Sequence, residues 1–527
     1  MVTTILRAET PKNLWMEGTS YPVNGISNPY QLDPDELTQY QKKGMIHAQQ
    51  YPVEITGILL PEKSITKVLG LPVMRSLFQW LGLSSYEAVK NNPLWFQPDN
   101  INPQLDFIGY SRIQRDGVTG FTVSCAMCHA SPFFGKVIMG LSNRFPRANH
   151  FFIRGQKAAR FYNPHWAEKL ASQDSKSVEM LNQSAKNLNS VGLKMPLQLG
   201  LDTSLAQVAL SLNKRENNPW ADKSEFYEKY PRSDALEVFP GDSKPAVWWN
   251  VKYKNRWLLD GSVVSGNPII TNLLWNEIGR GTDLRVLDQW LVENQKVIQE
   301  LTTAVYASQP PRIEDFIDED QISKTQALKG EILYKNLCAK CHGEFEKNWS
   351  RPEFQNSAWK IQIQNYAVRY PEKTSVKNVG TDPWRYQMMQ SLEKLNDLEL
   401  SKKYGIRIQT QEGYVPPPLV GIWARYPYMH NNSMPNLCAV LSPSSERPTN
   451  YFAGPAENIK TDYDLKCGGY PSADQAPQHW KKDELYYRSQ KPGLGKMGHD
   501  KKIFIKDGKN LLSAEDRRDL IQFLLTL

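Results

Sequence analysis

Two five-residue stretches, Cys125-Ala-Met-Cys128-His129 and Cys338-Ala-Lys-Cys341-His342, hold the residues in this chain best suited to do chemistry. Each reads Cys-x-x-Cys-His. Two thiols at this spacing can add to the two vinyl groups on one edge of a porphyrin, and the adjacent imidazole then sits under the ring as proximal ligand to iron. Two plainer readings compete. A thioredoxin-like dithiol has no need of the following histidine and should open a helix in a strand–helix unit, which neither context suggests. A zinc ribbon would gather all four thiols close together, whereas these pairs lie 213 residues apart. Four of the six cysteines fall in the two patterns. The spacing therefore predicts two covalently bound haem c groups, with His129 and His342 as iron ligands.

At 527 residues the chain is too long for one core, so two or three domains are expected. No run of eighteen apolar residues exists, which argues against a membrane span. Residues 1–15 carry Arg7, Glu9 and Pro11 and no apolar h-region, so they are not a signal peptide. Covalent haem attachment takes place outside the cytoplasm. A periplasmic location is therefore expected, with an export signal already removed. The formal charge is +8, about half of which four haem propionates would neutralise. Lys and Arg are interspersed with Asp and Glu rather than clustered with aromatics, which argues against nucleic-acid binding and is compatible with an acidic redox partner. Cys438 and Cys467 remain, as a disulfide or as two separately buried thiols.

The elements that must position these groups read as mainly α. Residues 1–104 form an N-terminal extension, with helical pieces at 33–41 and 85–90 and proline-rich connections after Asn92, Gln97 and Asn102. Residues 105–310 form a first haem c domain and 311–527 a second, joined by long loops. In the first, Arg144 and Arg147 lie in a turn-rich segment and are candidates for haem propionates, since guanidinium matches carboxylate geometry; a solvated loop is the alternative. Residues 201–212 have amphipathic spacing. Trp248, Trp249 and Trp257 lie within ten residues of one another, as core or as aromatics between two irons. In the second domain, residues 327–338 lead helically into the haem motif, with Gly330 a close-contact position for another helix. The expected partner is the last segment, where Ser513 and Asp516 read as a capping box before an apolar run. Three prolines, Pro416 to Pro418, enforce extended backbone before Tyr428-Met-His430. Residues 440–495 read as a long loop.

With these motifs together, the chain resembles the bacterial di-haem cytochrome c peroxidase superfamily, including its methylamine-utilisation and rubber-oxygenase branches. Residues 105–527 follow that superfamily's motif order. Pro245-Ala-Val-Trp-Trp-Asn250 with Leu259-Asp260-Gly261 is similar to its Pro-Thr-x-x-Asn … Trp-Asp-Gly block, with one extra residue and Leu259 where a Trp is common. Leu419-x-Gly421-Ile-Trp423-x-x-x-Pro427-Tyr428-Met429-His430 is the closer match. The resemblance implies a reactive N-terminal haem on His129 and an electron-transfer C-terminal haem on His342. It implies Trp257 as the inter-haem aromatic and Glu277 as acid/base at the open face, the alternative for Glu277 being a surface carboxylate. His499 is implied as sixth ligand of the second haem, over His430 and Met434, with His430 supporting that haem. Calcium between the domains is left open. The implied reaction is reduction of hydrogen peroxide with electrons from a small cytochrome or cupredoxin. Dioxygen-dependent oxidation of an organic substrate is the alternative, and a di-haem electron carrier without catalysis is the third reading. A homodimer is an assembly open to such a chain.

Overall fold

Asp33 starts the first long helix because its carboxylate accepts the backbone N–H groups of Asp35 and Glu36. Helix α1 (Pro34–Gln50) then runs well past the predicted residue 41. The computed structural model describes residues 12–86, 96, 98–99, 101, 106–160, 174–224, 236, 240–501, 503–507 and 509–527. The predicted helical piece at 85–90 beyond residue 86, and most of the proline-rich connections that follow, lie outside the described residues. Helices alternate with small sheets of two or three strands. Among the described residues no helix is long and apolar enough to cross a membrane.

The chain reaches the first haem motif through an unpredicted sheet. β2 (Tyr110–Arg115) and β3 (Val118–Val123) pair antiparallel, and β1 (Leu60–Pro61) adds to the far side of β3. Asp116 and Gly117 turn the hairpin with φ of 52° and 83°, the twist that two-residue hairpins require and that Asp-Gly supplies. β3 ends at Val123, and Ala126–His129 make one helical turn. Beyond it, α2 (Ser204–Leu212), α3 (Pro268–Ile278) and α4 (Gln295–Ala307) surround the motif.

The N-terminal segment is part of this core. Gly44 of α1 lies so close to Glu300 that a Cβ would strike the Glu300 carbonyl oxygen, and His47 Nε2 meets Glu300 Oε2 at 2.8 Å. Tyr21, Ala48, Tyr51 and Val53 share one apolar cluster with Trp248, Trp257, Leu273 and Trp275. Met388, Leu392 and Ile406 join it from beyond the predicted boundary at residue 310.

A second cluster gathers around α5 (Lys324–Leu337), the turn Ala339–His342 and α6 (Ala514–Leu525). Ser513 and Asp516 form the capping box that starts α6. The two helices cross at Gly330, where a Cβ would overlap the Asp519 carbonyl oxygen. Gly330→Ala should therefore lower stability by about 1–3 kcal/mol, the usual cost of overpacking. Denaturant titration checks this, and an unchanged midpoint would refute the crossing. Residues 440–495 are more ordered than the loop expected of them. Asn450–Phe452 pairs with Tyr486–Arg488, around buried Tyr451, Tyr470, Trp480 and Tyr487. Cys438 and Cys467 form a disulfide.

Candidate haem centres

β3 and the turn after it deliver Cys125, Cys128 and His129 to the wall of a cavity of about 290 Å³. Neither thiol is in a disulfide. Burial pushes the Cys125 thiol up to about 11 and lowers His129 to about 4. The imidazole is thus neutral, the form that binds iron. Its Nδ1 is buried outside good hydrogen-bond geometry, although the Ala246 backbone is near enough to favour the protonated ring. That leaves Nε2 for the cavity.

The lining chemistry fits a haem. Lys254, Arg280 and Arg385 line the cavity, and Arg280 Nη1 is buried with no hydrogen-bond partner. Burial lowers Lys254 to about 7. Asp202 is the acidic side chain among the lining residues, and Arg385 faces Asp260 at 3.3 Å. An excess of buried cations around an apolar slot suits a planar group with two carboxylates.

The second motif is arranged differently. His342 Nδ1 faces the Pro417 carbonyl oxygen at 2.8 Å, which fixes the ring and leaves Nε2 for a metal. Across from it stands His499, with ring centroids 6.2 Å apart. Two imidazole nitrogens each about 2 Å from one shared metal would put the centroids roughly 6 Å apart, so these rings fit an iron between them. Burial holds His342 near about 4 and His499 near about 3, both neutral. His499 sits in the left-handed region at φ 56°. Arg447 clamps the loop, its Nη1 donating to the carbonyls of Lys496 (2.7 Å) and Gly498 (2.6 Å).

Other expected site residues lie elsewhere. His430 does not face His342; it stacks on Tyr414 at 4.0 Å and shares a 3.0 Å hydrogen bond with its hydroxyl. Met434 is buried with its backbone paired to Tyr428. Arg144 is buried, ruling out the solvated loop, but it does not line the haem cavity. It donates to Ala424 O at 3.1 Å and covers the Tyr426 ring at 4.3 Å. Arg147 donates to Trp80 O and pairs with Glu484. Both arginines are tied to local partners that the sequence did not reveal.

Glu277 is neither a surface carboxylate nor a cavity-lining one. It is fully buried, accepting hydrogen bonds from Tyr51 (2.6 Å) and Thr282. Trp257 lines the cavity but packs on Tyr21 and Tyr306, at 6.3 and 6.5 Å, on the side of the N-terminal segment. Trp248 and Trp249 stand on the 3-10 helix Trp248–Tyr253. Successive residues there point about 120° apart. Trp248 lies 5.5 Å from His129, while Trp249 Nε1 donates to Val420 O at 2.9 Å, three residues beyond Pro417. No group of three or more His, Cys, Asp or Glu among the described residues could hold a metal ion by itself.

Similarity to other proteins bears on these centres. Uncharacterized protein y4iM of Sinorhizobium fredii is 27% identical over 219 residues, 39% of this chain and 49% of its own length. Uncharacterized protein y4iJ of the same organism is 23% identical over 487 residues, 78% of this chain and 77% of its own. The chain thus spans about half of the first relative. Residues 413–452 match the family described as RoxA-like, cytochrome c-like. That stretch contains Pro417, His430, Cys438 and Arg447. Over residues 413–452 the chain is similar to a RoxA-like, cytochrome c-like domain, which supports a haem c oxidoreductase.

Proposed function

We propose that the chain is a di-haem c oxidoreductase that uses dioxygen at the Cys125–His129 centre to oxidise an apolar organic substrate, with the Cys338–His342 centre as an electron relay. The observation that carries this choice is the position of Glu277. Its carboxylate is sequestered by Tyr51 and Thr282, so it is not offered to a ligand in the cavity as an acid/base for peroxide cleavage. Apolar Trp257, Leu258, Leu259 and Ile269 line the cavity, alongside the amides of Asn272 and Asn276. The RoxA-like match favours the same reading.

A bound haem would supply the dioxygen-activating iron. His129 would hold it from one side, with Cys125 and Cys128 tethering its edge. Lys254, Arg280 and Arg385 would meet its carboxylates, and the apolar wall would exclude water from the reacting space. At the second centre, His342 and His499 would hold the iron between them. Trp248 and Trp249 would carry electrons between the centres. The Cys438–Cys467 disulfide supports an oxidising compartment, and periplasmic residence goes with it.

Peroxide reduction, with electrons from a small cytochrome or cupredoxin entering through the second centre, is favoured by one observation. Asp202 lines the cavity, and burial raises its carboxyl above the usual range, making it a candidate acid. Dioxygen uptake on addition of an apolar olefin, with oxygenated product and no dependence on Glu277→Gln, is the expected result. Peroxide turnover by a reduced small cytochrome that collapses in Asp202→Asn would replace the first reading with the second.

A further inference from the structure

We propose that Tyr51 is a redox-active residue of the first centre, giving up an electron when peroxide oxidises that centre and passing its proton to Glu277. This rests on the reading of a reactive haem at Cys125–His129. It requires neither dioxygen nor any organic substrate.

Tyr51 comes from the N-terminal segment, just past α1, and its ring is buried in the cavity wall. Cys125, which would tether a porphyrin edge, lines the same cavity. The hydroxyl donates to Glu277 Oε1 at 2.6 Å, the length of a charge-assisted O–H···O⁻ bond. A phenol that loses an electron becomes a strong acid, so a buried tyrosine is oxidised readily only where a base already stands in line with its proton. Glu277 is such a base. Arg280 Nη1 lies 4.0 Å from the same Oε1.

The surrounding groups hold the pair rigidly. The Arg280 guanidinium lies over the Tyr51 ring at 4.0 Å, and its Nη2 donates to Val123 O at 3.0 Å. Thr282 occupies the other carboxylate oxygen. Burial keeps Tyr51 protonated at any ordinary pH, so its proton leaves only with the electron. Tyr86 offers a contrast: also buried, it donates to the neutral amide of Gln49 at 2.8 Å, which cannot take a proton.

The step balances with hydrogen peroxide as oxidant. Peroxide accepts two electrons and two solvent protons and leaves as two waters. Tyr51 supplies one electron as its O–H bond breaks, and the proton makes Glu277 a neutral carboxylic acid. The other electron comes from haem iron.

The test is electron paramagnetic resonance of the ferric holoprotein, mixed with hydrogen peroxide and frozen at once. A tyrosyl radical is expected that narrows when the tyrosine rings are deuterated. It should vanish in Tyr51→Phe and in Glu277→Gln and persist in Tyr86→Phe, with two covalent haems verified by mass in each. Narrowing in the parent protein identifies tyrosine even if one variant fails to fold. A radical undiminished in Tyr51→Phe overturns the proposal, as does a haem absorption band that peroxide shifts without any radical. A band that peroxide does not move at all removes the reactive haem itself, and Tyr51's role with it.

Discussion

In the proposed di-haem enzyme, replacing His499 with alanine should convert the second haem from a low-spin centre into a high-spin one that binds cyanide or carbon monoxide. The expected change is complete, because the two other candidate ligands are held by partners elsewhere. His430 is stacked on Tyr414 and bonded to its hydroxyl, and Met434 is locked into a backbone pair with Tyr428. His430→Ala should leave the spin state unchanged. Absorption and magnetic circular dichroism spectra of the two variants decide the matter. If His430→Ala produces the high-spin centre while His499→Ala does not, the ligand has been misassigned. The left-handed backbone at His499 belongs to the same argument. Such conformations cost about 1–3 kcal/mol and persist where surrounding contacts over-determine them, and Arg447 supplies those contacts. Arg447→Ala should therefore weaken the low-spin signature without removing either haem.

The second large effect is on stability, and it varies with pH. Lys347 is completely buried, donating to Thr526 O and Asn365 Oδ1 at 2.7 Å each. Burial lowers its amine to about 7 in the folded chain, against roughly 10.4 when unfolded. Between these values the unfolded chain holds a proton that the folded chain has released. Stability should therefore rise with pH across that window, by about 1.4 kcal/mol per unit from this one group. Below pH 7 the full penalty of burying the charge applies, and above about 10 it is gone. Lys347→Met should remove this slope while adding a constant cost of about 1–3 kcal/mol for two stranded acceptors. Denaturant midpoints at mildly acidic and mildly alkaline pH measure the slope, and identical slopes in parent and variant would refute it.

What could be read from the amino acids alone was local. The Cys-x-x-Cys-His stretches announce themselves because attachment to one porphyrin edge demands five consecutive residues. Gly330 and the Ser513–Asp516 cap are legible for the same reason: helix crossings and caps leave marks within one turn of chain. Asp116-Gly117 was equally legible as a hairpin turn, yet the strands beside it went unread, because the helical reading of the domain was carried across them. The remainder depends on groups that meet only after folding. Tyr51 and Glu277 are 226 residues apart, and nothing around Tyr51 marks it as a cavity residue. Lys254, Arg280 and Arg385 converge from separate segments, while Arg144 and Arg147, adjacent to the motif in sequence, are turned to other partners. Trp257 was favoured over its neighbours by alignment to a motif. The 3-10 helix that aims Trp248 and Trp249 into different cores has no sequence signature.

The bridge between Cys438 and Cys467 closes a loop of 29 residues, a constraint worth roughly 3–4 kcal/mol against the disordered chain. It also tethers the short helix Leu437–Val440, and the Val440 backbone stands against the His499 imidazole. In the proposed di-haem enzyme, oxidation of one sulfur pair would thus help seat the far-side ligand of an iron whose porphyrin is tethered by a different pair. Biogenesis would then be ordered: residues 438 and 467 would be joined while the other four sulfurs are guarded from joining one another, by an oxidant and a reductant acting in the same space on different cysteines.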